Sequence, residues 1–267
     1  MGCYYLRSNY VYKVVKLGGS IITFKDRPMS IRYDVIKFLA SELAEFLKSY
    51  PNVRLVLIHG GGSFGHYTVR ECLNTKGEID VSCFSKTSYV MTMLNTYLVK
   101  EFINAGLKPV SIPPHVIFRR EGGQLIYEPG LIVEYLMRGF MPVLYGDVIL
   151  GDQVFEVLSG DTIAWLVAKD LGAKELIFAT DVDGLFDKDP KKYLDAKLIE
   201  FIRADDLTNL NFSTSDYDVT GSMMLKLMDG LKYGVKGVKV RIINGLVSGN
   251  LYKSLVGSST VGTVVEY

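Results

Sequence analysis

Hydrophobic positions along this chain fall into two recurring patterns. Short, mostly apolar runs at residues 12–17 (YKVVKL), 54–58 (RLVLI), 108–112 (KPVSI), 141–148 (MPVLYGDV), 175–180 (ELIFAT) and 238–243 (VKVRII) read as strands buried on both faces. Between them lie stretches with apolar residues three or four apart. At 33–49, Ile36, Leu39, Leu43 and Leu47 make one stripe with charges opposite, and Pro51 follows its end. Helices are also predicted at 85–105, 131–138, 161–171 and 222–233, closed by Gly106, Gly139, Gly172 and Gly234. Residues 115–129 read as a β-hairpin turning at 121–124, a second hairpin turns at 151–152, and 263–267 (TVVEY) reads as a last strand.

Strand, glycine turn and helix, repeated, predict an α/β fold with a mostly parallel sheet covered on both faces. Ligands of such sheets bind beyond the carboxyl ends of the strands. No internal repeat or Pro/Ser-rich linker interrupts the chain, so residues 1–267 read as a single domain. The two hairpins are expected to mark a seam between two lobes of one continuous sheet.

Composition narrows the function classes. With 48% hydrophobic and 12% aromatic residues the chain has ample material for a core. Lys plus Arg (30) nearly cancels Asp plus Glu (29), which argues against nucleic acid or an anionic membrane as partner. No apolar run is long enough to span a bilayer, and the N-terminus resembles no signal peptide. Met1-Gly2-Cys3 is not an acylation signal, because Leu6 stands where Ser or Thr is needed. Three cysteines (Cys3, Cys72, Cys83) lack metal-ligand spacing and read as free thiols, so a cytoplasmic protein is expected.

Two strand ends carry the chemistry. "KLGGS" (residues 16–20) places a lysine before a glycine turn, and "HGGGSFGH" (59–66) repeats the arrangement after the second strand. A cation plus fixed backbone N–H groups suits phosphate oxygens, and two such loops side by side point to one polyanion site. Neither fits a P-loop or G-x-G-x-x-G.

"VVKLGGS", "HGGGSFGH", "LYGDV", "SGD", "TDVDGLF" and "DVTGSMMLK" occur in that order. Together they resemble the amino-acid kinase superfamily, and within it the isopentenyl phosphate kinases, over nearly the whole chain. The resemblance implies a three-layer α/β/α sandwich, usually a homodimer, that makes isopentenyl diphosphate from isopentenyl phosphate and ATP. It implies an acceptor lobe at about 1–158 and a nucleotide lobe at 159–267. Carried over by motif, Lys16 and Lys25 hold the transferring phosphoryl, with Gly18, Gly19 and Ser20 beside it. Gly61 meets the acceptor phosphate, Gly62 the ATP phosphates, and Gly160 adjoins the acceptor. Asp161 orients the lysines, Asp181 and Asp183 lie where the family binds the nucleoside, and Lys226 neutralises the leaving ADP. The last motif departs from the family, with Ser222 in place of a second glycine after Gly221.

His66 is expected to grip the acceptor phosphate, which raises its pKa by neighbouring negative charge. No carboxylate cluster presents itself for a metal, so Mg²⁺ is expected to ride on ATP oxygens and water. His59 reads as structural, and His115 has no motif support. Asp181 and Asp183 also fit a turn before Gly184, and Asp147 fits a loop-fixing role. Phe84 and Met91 are the candidate walls for an apolar tail. A kinase for another small phosphate or phosphonate, and a non-catalytic nucleotide-binding protein of the same fold, remain open at this point.

Overall fold

The computed structural model describes residues 9–152, 154–190, 192–209 and 220–267. The main sheet runs edge to edge through β10 (Phe201–Arg203), β12 (Gly262–Glu266), β11 (Lys239–Asn244), β9 (Glu175–Thr180), β1 (Val11–Leu17), β2 (Val53–His59), β6 (Met141–Tyr145) and β3 (Pro109–Ser111). β1 pairs in parallel with β2 and β9, setting Val14 beside both Val56 and Leu176. β12 runs antiparallel to β11.

Successive strand side chains point to opposite faces, and here both faces are apolar. Val14, Val56, Leu176 and Ile242 meet Leu136, Trp165 and Leu227 from α6 (Gly130–Met137), α7 (Gly160–Asp170) and α8 (Thr220–Lys232). Val15, Leu57, Ile177 and Ile243 meet Leu39, Leu94 and Leu251 from α2 (Tyr33–Ser49), α4 (Val81–Asn104) and α9 (Asn250–Leu255). Each such buried aliphatic side chain stabilises the fold by roughly 1.5–3 kcal/mol. The result is a three-layer α/β/α sandwich on a mostly parallel sheet. No helix among the described residues is long and apolar enough to cross a membrane.

The hairpins depart from expectation. β4 (Phe118–Glu121), β5 (Gln124–Tyr127), β7 (Asp147–Leu150) and β8 (Phe155–Leu158) form a separate four-stranded sheet, ordered β5-β4-β7-β8, rather than a seam in a continuous one. The run 141–148 breaks at Gly146, whose N–H donates to the His59 carbonyl at 2.9 Å before the chain leaves the main sheet. Asp152 then ties the hairpins together by accepting from Gly122 and Gly123 N–H at 2.7 and 2.8 Å.

The glycine run at 59–66 is not a loop throughout. α3 (Gly62–Lys76) begins inside it, just as the short α1 (Gly19–Ile22) begins inside the glycine turn after β1. α4 starts at Val81, four residues before the predicted boundary, because Asp80 caps it by accepting from Cys83 N–H at 2.8 Å. Periodicity did not anticipate α5 (Pro114–Ile117) or α9.

The cysteines correct the free-thiol expectation. Cys72 and Cys83 form a disulfide, because α3 and α4 fold back on each other and bring their Cα atoms to 5.9 Å. Cys3 lies outside the described residues.

Buried Glu42 of α2 accepts from Gly249 N–H (2.6 Å) and Tyr252 N–H (2.8 Å), closing the N-terminus of α9. Glu42→Ala should lower stability by roughly 1–3 kcal/mol, the penalty for leaving buried donors unpaired. Urea unfolding checks this; an unchanged midpoint would show that water replaces the carboxylate without loss.

Candidate active site

β9, β1, β2 and β6 end on the same side of the sheet, and the turns that follow them line a cleft of about 950 Å³. The glycines there are set first by protein contacts. A Cβ on Gly19 would collide with the Gly62 backbone, lying 2.5 Å from its Cα. A Cβ on Gly160 would sit 2.9 Å from the His59 carbonyl, and one on Gly146 3.0 Å from Gly160 N. Gly62 adds a positive φ of 49°, which L side chains rarely adopt. Thr23 latches the two turns: its hydroxyl donates to Gly19 O (2.8 Å) and accepts from Ser63 N–H (2.9 Å). α3 opens towards the cleft with no side-chain cap, an N-terminus suited to anions.

Charges converge from distant parts of the chain. Asp161, in the first turn of α7, holds Lys16 Nζ at 2.7 Å and Lys226 Nζ of α8 at 3.3 Å. Burial pushes the Asp161 carboxyl up, but the two ammonium groups outweigh it and hold the pKa at about 2. Burial pulls the Lys16 pKa down, and Asp161 opposes that pull. Ser159 caps α7 by accepting from Asp161 and Thr162 N–H, both at 3.1 Å, which fixes where Asp161 stands. A second cluster sits beside β9: Asp181 accepts from Lys25 Nζ and from the Ser20 hydroxyl, each at 2.9 Å.

α3 and α4 wall the far end of the cleft. His66 is exposed to it, with Val69, Arg70 and Leu73 further along α3 and Thr87 and Met91 opposite on α4. In the protein alone the His66 imidazole is held below its ordinary value, by desolvation first and then by Lys16, Lys226 and Arg70. The effect expected of a bound phosphate has the opposite sign.

The structure brings Lys16, Gly18, Gly19, Ser20, Lys25, Gly61, Gly62, His66, Gly160, Asp161, Asp181 and Lys226 to this one cleft. Asp183 stands apart from its wall and accepts from the Asn244 amide at 2.9 Å. Ser222 carries no described side chain. Phe84 packs on Phe155 (4.9 Å between centroids) and His115 rather than on the cleft, leaving Met91 as the wall residue. His59 is buried against Gly60 O and Asn95, and burial drives its pKa down to about 4, as suits a structural residue. His115 Nδ1 lies 2.7 Å from buried Asp147, which lines the cleft. The Asp147 carboxylate raises the His115 pKa by accepting its hydrogen bond. Sequence reasoning missed Thr23, which no pattern marks, and Arg70, which helical spacing from His66 marks once 62–76 is known to be helix.

The amino acid kinase family model matches residues 12–244. The chain belongs to the amino acid kinase family. It is similar to the isopentenyl phosphate kinase of Methanothermobacter thermautotrophicus, with 34% identity covering 94% of this chain and 97% of that protein. The isopentenyl phosphate kinase of Methanocaldococcus jannaschii is 33% identical, covering 95% and 98%. Among solved structures, an isopentenyl phosphate kinase superposes with a TM-score of 0.78 at 30% identity, covering 95% of this chain and 99% of that one. For this member of the amino acid kinase family, the backbone contact between the two glycine turns gives a direct test. Gly19→Ala should lower the melting temperature by an amount worth about 1–3 kcal/mol, the usual cost of overpacking. Gly61→Ala, whose Cβ meets nothing nearer than Gly65 Cα at 3.3 Å, should cost less. Equal melting temperatures for both variants would refute this account of the turns.

Proposed function

We propose that this chain transfers the γ-phosphoryl group of ATP to isopentenyl phosphate, giving isopentenyl diphosphate and ADP. The observation that carries the reading is that one cleft joins cationic and apolar walls: the Lys16–Asp161–Lys226 triad, His66 and the open end of α3 line it together with apolar Met91, Val69 and Leu73. An acceptor with a phosphate head and a short hydrocarbon tail matches that pairing of polar and apolar walls.

An acceptor phosphate oxygen is already a nucleophile near neutral pH, so the reaction asks for alignment and charge neutralisation rather than a strong base. The acceptor oxygen attacks Pγ as the bond to the ADP oxygen breaks. Lys16 and Lys25 offset charge on the moving group and Lys226 that on the leaving ADP, while Asp161 keeps Lys16 and Lys226 aimed. Among the described residues no three His, Cys, Asp or Glu side chains converge as a metal ligand set. Mg²⁺ enters this reading as part of the Mg–ATP substrate, carried by phosphate oxygens. In the same reading residues 1–158 serve mainly the acceptor and 159–267 mainly the nucleotide, with Asp181 on the ATP side and Gly18, Gly19 and Ser20 reaching the ATP phosphates from the first lobe. The working form is a homodimer in the cytoplasm, where ATP is supplied.

Incubation with Mg–ATP and isopentenyl phosphate should release ADP; release only with a nucleotide, an amino acid or a phosphonate as acceptor would replace this reading by another. Lys16→Met should lower kcat by about 10²–10³, by analogy with loss of one oxyanion-hole donor. Unchanged turnover would remove Lys16 from the mechanism.

His66 supplies a proton-dependent grip. Its pKa lies below the ordinary value in the protein alone and rises beside a phosphate, so acceptor binding takes up a proton. Acceptor affinity should accordingly fall as pH rises between the free and bound pKa values. His66→Gln should flatten that part of the profile, and His66→Ala should weaken acceptor binding by about 1.5–3 kcal/mol with the KM for ATP little changed. A fall in kcat at constant acceptor KM in both variants would mean that His66 acts on the chemical step instead.

A further inference from the structure

The geometry points to a modification site outside the phosphate machinery: we propose that the Cys72–Cys83 pair is a thiol–disulfide site that sets how firmly the acceptor wall is held. The proposal rests on the acceptor reading above for its kinetic consequence, and on the fold alone for its mechanical one.

α3 is held to the body along a narrow line. Among its described residues the buried side chains are Ser63, Phe64, Thr68 and Cys72, the last three spaced four apart on one face, while His66, Arg70 and Leu73 line the cleft. Cys72 is the last of these anchors, and its bond to Cys83 fixes the far end of α3 to the first turn of α4. Cys83 in turn touches the cleft wall, with Sγ 3.9 Å from the Thr87 hydroxyl. Met91, one turn further along α4, lines the same cleft. A further polar link at this end is the exposed ion pair Lys86–Glu71 at 2.7 Å, a class of contact worth about 0–1 kcal/mol. With the cysteines reduced, the covalent tie between the end of α3 and the start of α4 is gone, and only non-covalent contacts of this kind hold the end of the hairpin.

The redox step needs a partner of stated class, a low-molecular-weight disulfide. One cysteine thiolate, from Cys72 as the more exposed of the two, attacks a sulfur of that disulfide and expels one thiolate. The Cys83 thiolate then attacks the Cys72 sulfur of the mixed disulfide and expels the second thiolate. The protein loses two electrons and two protons, and the small disulfide becomes two thiols. Reduction by a dithiol runs the same steps backwards.

The full-length chain is equilibrated with glutathione disulfide or with dithiothreitol, and intact mass reads the two-hydrogen difference. Reduction should raise the KM for isopentenyl phosphate about fivefold or more, the lower range of ordinary coupling between sites, with the KM for Mg–ATP unchanged. The double variant Cys72→Ser, Cys83→Ser, which can form neither the internal nor a mixed disulfide at this site, should show the reduced value in both buffers. Equal acceptor KM values in the two states, or a double variant that matches the oxidised enzyme, would overturn the proposal. Absence of turnover with isopentenyl phosphate in both states would instead count against the functional reading. Hydrogen exchange of residues 62–76 then decides the tether independently: faster exchange after reduction supports it, and identical exchange refutes it.

Discussion

Gly19 and Gly62 meet backbone to backbone across neighbouring parallel strands, with no room between them for a single methyl group. Much of the site hangs on that approach. It sets the height at which α1 and α3 begin and lets one hydroxyl, that of Thr23, bond to both turns. It also aims the uncapped end of α3 at the space above Lys16. His66 lies in the second turn of α3, so its place follows from where the turn sets the start of that helix. Glycine is costly to order, and here that cost is repaid by tight closure before any ligand arrives.

Electrostatics completes what the turns begin. Three ammonium groups drawn to one cleft repel one another, and Lys16 is nearly out of reach of water. Asp161 makes the arrangement tolerable by bonding to both Lys16 and Lys226, while Asp181 bonds to the exposed Lys25. Removing one partner of the buried Lys16–Asp161 pair costs far more than the pair contributes. Asp161 thus acts as a spacer that holds two cations apart and facing the cleft.

The central strands were legible because both faces of the sheet are apolar, a signature that only parallel, doubly covered strands carry; β9 matches residue for residue. Helix α2 was equally plain from its single stripe. The boundary of α3 was hidden because glycine-rich, polar residues carry little helical periodicity, and its helix is fixed by the neighbouring turn. The break at Gly146 was hidden for a related reason: an apolar run does not say which sheet each half joins. Most site residues borne on motifs reached the cleft, Asp183 excepted, whereas Thr23 and the Cys72–Cys83 bond depend on contacts between segments that no local pattern records.

One buried side chain has an optical consequence. Trp165 is the chain's single tryptophan, and its indole N–H donates to the Lys226 carbonyl at 2.8 Å while its ring rests on Tyr267 at 4.9 Å. Any shift of α8, which carries Lys226, changes the polarity and hydrogen bonding around that indole. The protein therefore contains its own fluorophore against the helix that carries Lys226, and its emission reports on α8 without a label.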